Sequence, residues 1–115
     1  TGEQAAMMFG WSGDNGDPDN FFIPLLGCAA VKGGGNVARW CNDGFEKLIQ
    51  NAKLATRQAD RAGFYVKAQE IFHDEAPWIP IAHSVRFDPI RKDVVGYKMD
   101  ATAHHFFNKV DMTGQ

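Results

Sequence analysis

The 115-residue chain is short of most features that announce a function. It has no long hydrophobic run: no stretch approaches the ~18 apolar residues needed to span a bilayer. It has no block of basic residues either. Lys47, Lys53, Arg57, Arg61, Lys67, Arg86, Arg91 and Lys92 are scattered, and the formal net charge is -2. Nucleic acid normally selects a basic surface, so this balance argues against it as a partner. There is no internal repeat, no HExxH, no nucleophile elbow and no P-loop. Gly33-Gly34-Gly35 lacks both the GxGxxG order and a phosphate-binding Lys after it, and reads as a loop tip.

Cysteine is scarce. Cys28 and Cys41 are the two in the chain. Two free buried thiols suit a cytosolic protein and a disulfide suits an exported one; the residues leave both open. A disulfide would close a loop of about 14 residues, for roughly 3 kcal/mol in the chain-entropy model. Two thiols without CxxC spacing lack the usual zinc pattern. Of the four histidines, His73 falls late in a helix, where its charge suits the helix dipole. His83 falls in an extended run. His104 and His105 are adjacent, so on a strand they face opposite ways, which is poor geometry for one metal. No metal or cofactor is expected.

What is present is enough for a core: 44% of residues are hydrophobic, in a length typical of one domain. Ala5-Ala6-Met7-Met8-Phe9, continuing to Trp11, is apolar at nearly every position and reads as a strand covered on both sides. The chain starts at Thr1 and meets this pattern within five residues. A natural domain rarely begins so abruptly, so a segment of a longer protein is expected, with any export signal upstream. Phe21-Phe22-Ile23-Pro24-Leu25-Leu26 re-enters the core as a short helix or an extended piece. Asp43-Gly44-Phe45-Glu46 has the form of a capping box with Asp43 as N-cap. Phe45, Leu48, Ile49 and Ala52 follow at helical spacing, and the helix should fade near Lys53. A second helix from near Thr56 carries Ala62, Tyr65, Ala68 and Phe72 inward, widened by Val66 and Ile71, and must end before Pro77. Trp78–Phe87 reads as extended and Val94–Met99 as a short strand.

Residues 12–20 hold three Asp, two Asn, two Gly and one Pro, the composition of turns. A solvated turn is the plainest account of Asp14, Asp17 and Asp19. An EF-hand fails: counted from Asp14, Gly16 and Pro18 fill the third and fifth positions, and Leu25 stands at the twelfth, where Glu is needed. A paired-carboxylate hydrolase is not established by sequence proximity. A ligand-binding carboxylate remains, and Trp11 favours it: a carboxylate beside an indole at a strand's exit suits a cationic group on an otherwise apolar ligand. No motif around either cysteine supports a thiol nucleophile. An enzyme using Asp14 with His83 is the competing class.

The run Gly10-Trp11-Ser12-Gly13-Asp14-Asn15-Gly16-Asp17-Pro18-Asp19-Asn20-Phe21-Phe22 resembles a segment near the C-terminus of the bacterial dipeptide-binding proteins. These are extracytoplasmic solute receptors of ABC transporters, in the peptide/nickel-binding family. Cys28-Ala29-Ala30, Arg39-Trp40-Cys41, Phe45–Gln50, Tyr65–Pro77, Ile81–Ser84, Val94–Tyr97 and His104-His105-Phe106 resemble the family in the same order. The resemblance implies an α/β fold, the C-terminal part of a two-lobed periplasmic binding protein. Residues 1–84 would belong to the second lobe, and 85–115 would return to complete the first. It implies no enzyme, a dipeptide held by its charged termini, ABC permease partners and the missing N-terminal part of the same receptor. It implies a periplasmic location and a Cys28–Cys41 disulfide. Asp14 maps onto the receptor of the ligand's α-ammonium group and Trp11 onto a cleft aromatic. Gly10, Ser12 and Gly13 map onto closely approaching backbone. The arginine that receives the ligand carboxylate lies upstream. A relative tuned to haem, 5-aminolevulinate, glutathione or longer peptides is the alternative.

Overall fold

The computed structural model describes residues 5–114, which divide into two compact units, one up to Pro80 and one from Ile81. In the first, helix α1 (Asp19–Leu26) is followed by a short 3-10 turn (Cys28–Lys32), then α2 (Asp43–Leu54) and α3 (Gln58–Glu75). The second holds a two-stranded antiparallel ladder, β1 (Val94–Val95) and β2 (Asp111–Met112), with Val94 opposite Met112 and Val95 opposite Asp111.

The core of the first unit is built where α1, α2 and α3 meet. Leu25, Leu26, Phe45, Ile49 and Ala68 are buried together, and Phe22, Trp40, Ile71, Phe72 and Trp78 pack around them. Phe45 has no exposed surface. Its ring meets Phe22 edge-on at 5.6 Å and Trp40 at 4.8 Å, the edge-to-face arrangement that aromatic quadrupoles favour. The α2 stripe is the expected one, with Leu48 half-buried beside buried Phe45, Ile49 and Ala52. On α3 the stripe is narrower than the spacing suggests: Tyr65 and Ala68 are buried, while Ala62 and Val66 are exposed.

The segment 21–26 is helical, with Pro24 inside α1. Proline lacks the N–H that would reach back to the Asn20 carbonyl, a small loss in so short a helix. The cap of α2 is shifted by one residue from the expected box. Asn42, not Asp43, is the N-cap, and its Oδ1 accepts from the Phe45 N–H at 2.9 Å. Glu46 is thereby freed and accepts from the Cys28 N–H at 2.9 Å, tying α2 to the 3-10 turn. Helix α3 ends on Ala76 in the left-handed region (φ 42°), with its N–H on the Phe72 carbonyl. Pro77 disfavours a continued right-handed turn there.

The expected buried strand over residues 5–11 is absent. The residues from Ala5 to Trp11 form no ladder, and Met7, Met8, Phe9 and Trp11 are exposed. A strand apolar on both faces needs layers packed over both faces as well as ladder partners along its edges, and among the described residues none pairs with it. The expected strand over 94–99 shrinks to Val94–Val95. Gly96, at φ +78°, turns the chain, and a Cβ there would stand 2.0 Å from the Lys109 carbonyl oxygen, so only glycine fits.

Candidate functional site

The two sulfurs of Cys28 and Cys41 are joined in a disulfide. The loop they close is also braced by a side chain. Asn36, 3% exposed, donates from Nδ2 to the Gly27 carbonyl at 3.1 Å and the Trp40 carbonyl at 2.8 Å. Glu75, at the end of α3, accepts from Trp40 Nε1 at 2.6 Å and from Asn42 Nδ2 at 2.5 Å. The loop is thus fixed to both long helices. With both sulfurs bonded to each other, the pair offers no thiolate beside Asp43 to a metal.

The run before α1 is organised by two residues the sequence gives no reason to single out. The first is Asn20, in the opening turn of α1. Its Oδ1 accepts from the Trp11 indole N–H at 3.2 Å and from the Asp14 backbone N–H at 3.2 Å. Its Nδ2 donates to Asp14 Oδ2 at 3.4 Å. One amide therefore joins the indole and the carboxylate that the sequence places together. The second is Arg61, from the first half of α3. It grips Asp17 with both terminal nitrogens, at 2.7 and 2.8 Å, and stands 3.9 Å from Asp19. Its Nη2 also donates to the Tyr65 hydroxyl at 3.2 Å. A planar guanidinium suits this bidentate geometry.

Asp17 and Asp19 thus do more than shape a turn. Asp17 does shape one, since its carboxylate accepts from the Asp19 N–H at 3.0 Å. It also anchors the entrance of α1 to α3 across 44 residues of sequence. Burial pushes the Asp19 carboxyl above its ordinary value, and the neighbouring negative Asp17 adds to that, against the pull of Arg61.

Asp14 differs. It is exposed, its side chain meets the neutral Asn20 amide, and no ion pair among the described residues includes it. Trp11, 43% exposed, stacks on Phe9 at 6.5 Å, and Phe9 meets Trp78 edge-on at 5.8 Å. The result is an uncompensated carboxylate next to a partly open aromatic surface. Gly10 has open space where a side chain would stand, and Ser12 is exposed. Gly13 packs on the protein itself, since a Cβ there would lie 2.8 Å from the Phe21 ring. Two concavities run along α3, the larger about 600 Å³ and lined in part by Asp17, Arg61 and Tyr65. Trp11 and Asp14 line neither.

No family model matches the chain. Individual proteins do. It is 47% identical over 111 residues to the dipeptide-binding protein of Escherichia coli, covering 96% of the chain and 21% of that protein. The chain is homologous to a segment of the dipeptide-binding proteins. It spans about a fifth of the length of the curated relatives it matches. The similarity extends across ligand classes: heme-binding protein A of Haemophilus influenzae is 46% identical over 114 residues, covering 99% of the chain and 21% of that protein. Solved structures agree. The ABC transporter-associated periplasmic binding protein DppA from Helicobacter pylori, in complex with peptide STSA, matches at TM-score 0.76 and 32% identity. That match covers 90% of the chain and 21% of DppA. HbpA2 from Haemophilus parasuis matches at TM-score 0.77 and 37% identity, over 91% of the chain and 20% of its own. The chain therefore has the fold of the corresponding part of a periplasmic binding protein, and these relatives are named for binding.

Proposed function

We propose that this chain is part of a periplasmic receptor that binds dipeptides by their charged termini and delivers them to an ABC permease. Asp14 receives the ligand's α-ammonium group and Trp11 covers the adjoining apolar surface, with Gly10, Ser12 and Gly13 forming the backbone around it. The observation that carries this reading is the unpaired Asp14 carboxylate held against the Trp11 indole through Asn20, in a chain similar to dipeptide-binding proteins. A cleft that closes over a zwitterion must give its ammonium a partner, because an unpaired buried charge is costly. The carboxylate of the ligand needs a cation from a part of the receptor upstream of this chain. Residues 1–84 contribute to the second lobe and 85–115 complete the first; the division of the described residues at Pro80 supports a boundary in this region.

Removing one partner of a desolvated ion pair costs about 2–5 kcal/mol. Asp14→Asn in the full-length receptor is therefore expected to weaken dipeptide binding tenfold or more by calorimetry. Unchanged affinity would overturn the assignment. A haem receptor is the second reading, favoured by the 46% identity to heme-binding protein A. A Soret shift on adding haem, with no heat on adding dipeptide, would establish it in place of the first.

A further inference from the structure

We propose that Asn20 is a positioning residue for ligand recognition, locking the Asp14 carboxylate and the Trp11 indole into one unit. The inference rests on the dipeptide reading of Asp14 and assigns a role to a side chain that need not touch the ligand at all. The primary amide is the one uncharged side chain that offers a double acceptor and two N–H donors on the same rigid plane. Here both lone pairs and one N–H are used. The Oδ1 lone pairs take the Trp11 Nε1–H and the Asp14 backbone N–H, both at 3.2 Å, and the Nδ2–H reaches Asp14 Oδ2 at 3.4 Å. Asp14 is thus held at its backbone and at one carboxylate oxygen, leaving Oδ1 for a cation. The indole is held in its plane, with Phe9 stacked beside it at an interplanar angle of 17°.

Asn20 is itself well anchored, which a positioning residue must be. It stands in the first turn of α1, where its N–H donates to the Asp17 carbonyl at 3.2 Å. Asp17 is clamped by Arg61 of α3. Position is therefore transmitted from the helical core through Asp17 and Asn20 to Asp14. An exposed, flexible aspartate would lose rotamer freedom on meeting a cation; one already held loses less.

The test is a double-mutant cycle on the full-length receptor, with alanylalanine and N-acetyl-alanylalanine as probes in calorimetry. Asn20→Ala is expected to weaken alanylalanine binding about fivefold, the net size of one ordinary hydrogen bond. It should weaken the acetylated probe by less than twofold, because that probe has no ammonium for Asp14 to receive and only the hold on the Trp11 indole is lost. In the Asp14→Asn background the same substitution should add less than twofold, since the charge it positions is gone and only the hold on the indole remains to be lost. Asn20→Ser, too short to reach both Trp11 and Asp14, should behave alike and serves if the alanine variant does not fold. Equal losses in both backgrounds, or equal losses for both probes, would make Asn20 a merely structural residue and overturn the proposal. No loss from either Asn20 variant overturns it as well. Failure of the underlying reading looks different: Asp14→Asn alone would then bind alanylalanine normally.

Discussion

Breaking the Cys28–Cys41 bond with a Cys28→Ser/Cys41→Ser double variant should cost most of the ideal loop-closure term. The two residues are 13 apart in sequence, and a loop of that size confers about 3 kcal/mol through the entropy of the unfolded chain. Engineered disulfides often fall short of this because the folded state is strained or relaxes when cut. Here the folded loop has its own supports. Asn36 spans it to the Gly27 and Trp40 carbonyls, Glu46 holds the Cys28 N–H, and the Gly35 N–H reaches the Pro24 carbonyl at 3.1 Å. None depends on sulfur, so the native loop should persist and the loss should fall on the unfolded ensemble. With urea slopes of about 1–3 kcal/mol per M, the unfolding midpoint should drop by about 1–3 M. Trp40, inside the loop, is the natural reporter, with its ring 4.8 Å from Phe45; in the 115-residue chain, replacing Trp11 and Trp78 by Phe isolates its fluorescence. An unchanged midpoint would refute the entropy argument. A Trp40 signal already unfolded-like without urea would refute the claim that the polar braces hold the loop.

Two further outcomes test the rest of the molecule. Phe45→Ala should destabilise the first unit by about 3–5 kcal/mol, because the ring is fully buried and supports both Phe22 and Trp40; chemical denaturation reads it, and a loss under about 1 kcal/mol would mean the site collapses freely. In the second unit, the Asp88 carboxyl is held below its ordinary value of 3.8, first by the Tyr97 hydroxyl, at 2.5 Å, and then by Arg86. A carboxyl depressed on folding contributes stability above its unfolded value and loses it as pH falls through the folded one. Acid should therefore loosen the contact between Asp88 and Tyr97 below about pH 4, seen as a shift of the Tyr97 ring signals by NMR, and Asp88→Asn should abolish that transition. An identical acid transition in both proteins would show that Asp88 is not its source.

The α2 stripe was legible because a helix that buries one face repeats its apolar residues at fixed spacing, and Phe45, Ile49 and Ala52 do so. The N-cap was misread by one residue because Asn42 and Asp43 can both cap, and the choice falls to whichever backbone the loop delivers. The strand expected over residues 5–11 failed for a different reason. Apolar composition states what a segment must bury but supplies no partner to bury it against. In the candidate site, Trp11 and Asp14 stood out as an indole and a carboxylate in one short run. Asn20 did not, since asparagine in such a run is first a turn residue. Arg61 did not either, since nothing in a scattered arginine announces a carboxylate 44 positions away.

Local patterns alone made the two longer helices, the family likeness and the neighbouring indole and carboxylate legible along the chain. The tertiary structure decided which aspartate is available. Arg61 occupies Asp17 and stands near Asp19, while Asp14 meets a neutral amide. Three carboxylates within six residues look alike along the chain, and only the distant cation that reaches two of them sets the third apart.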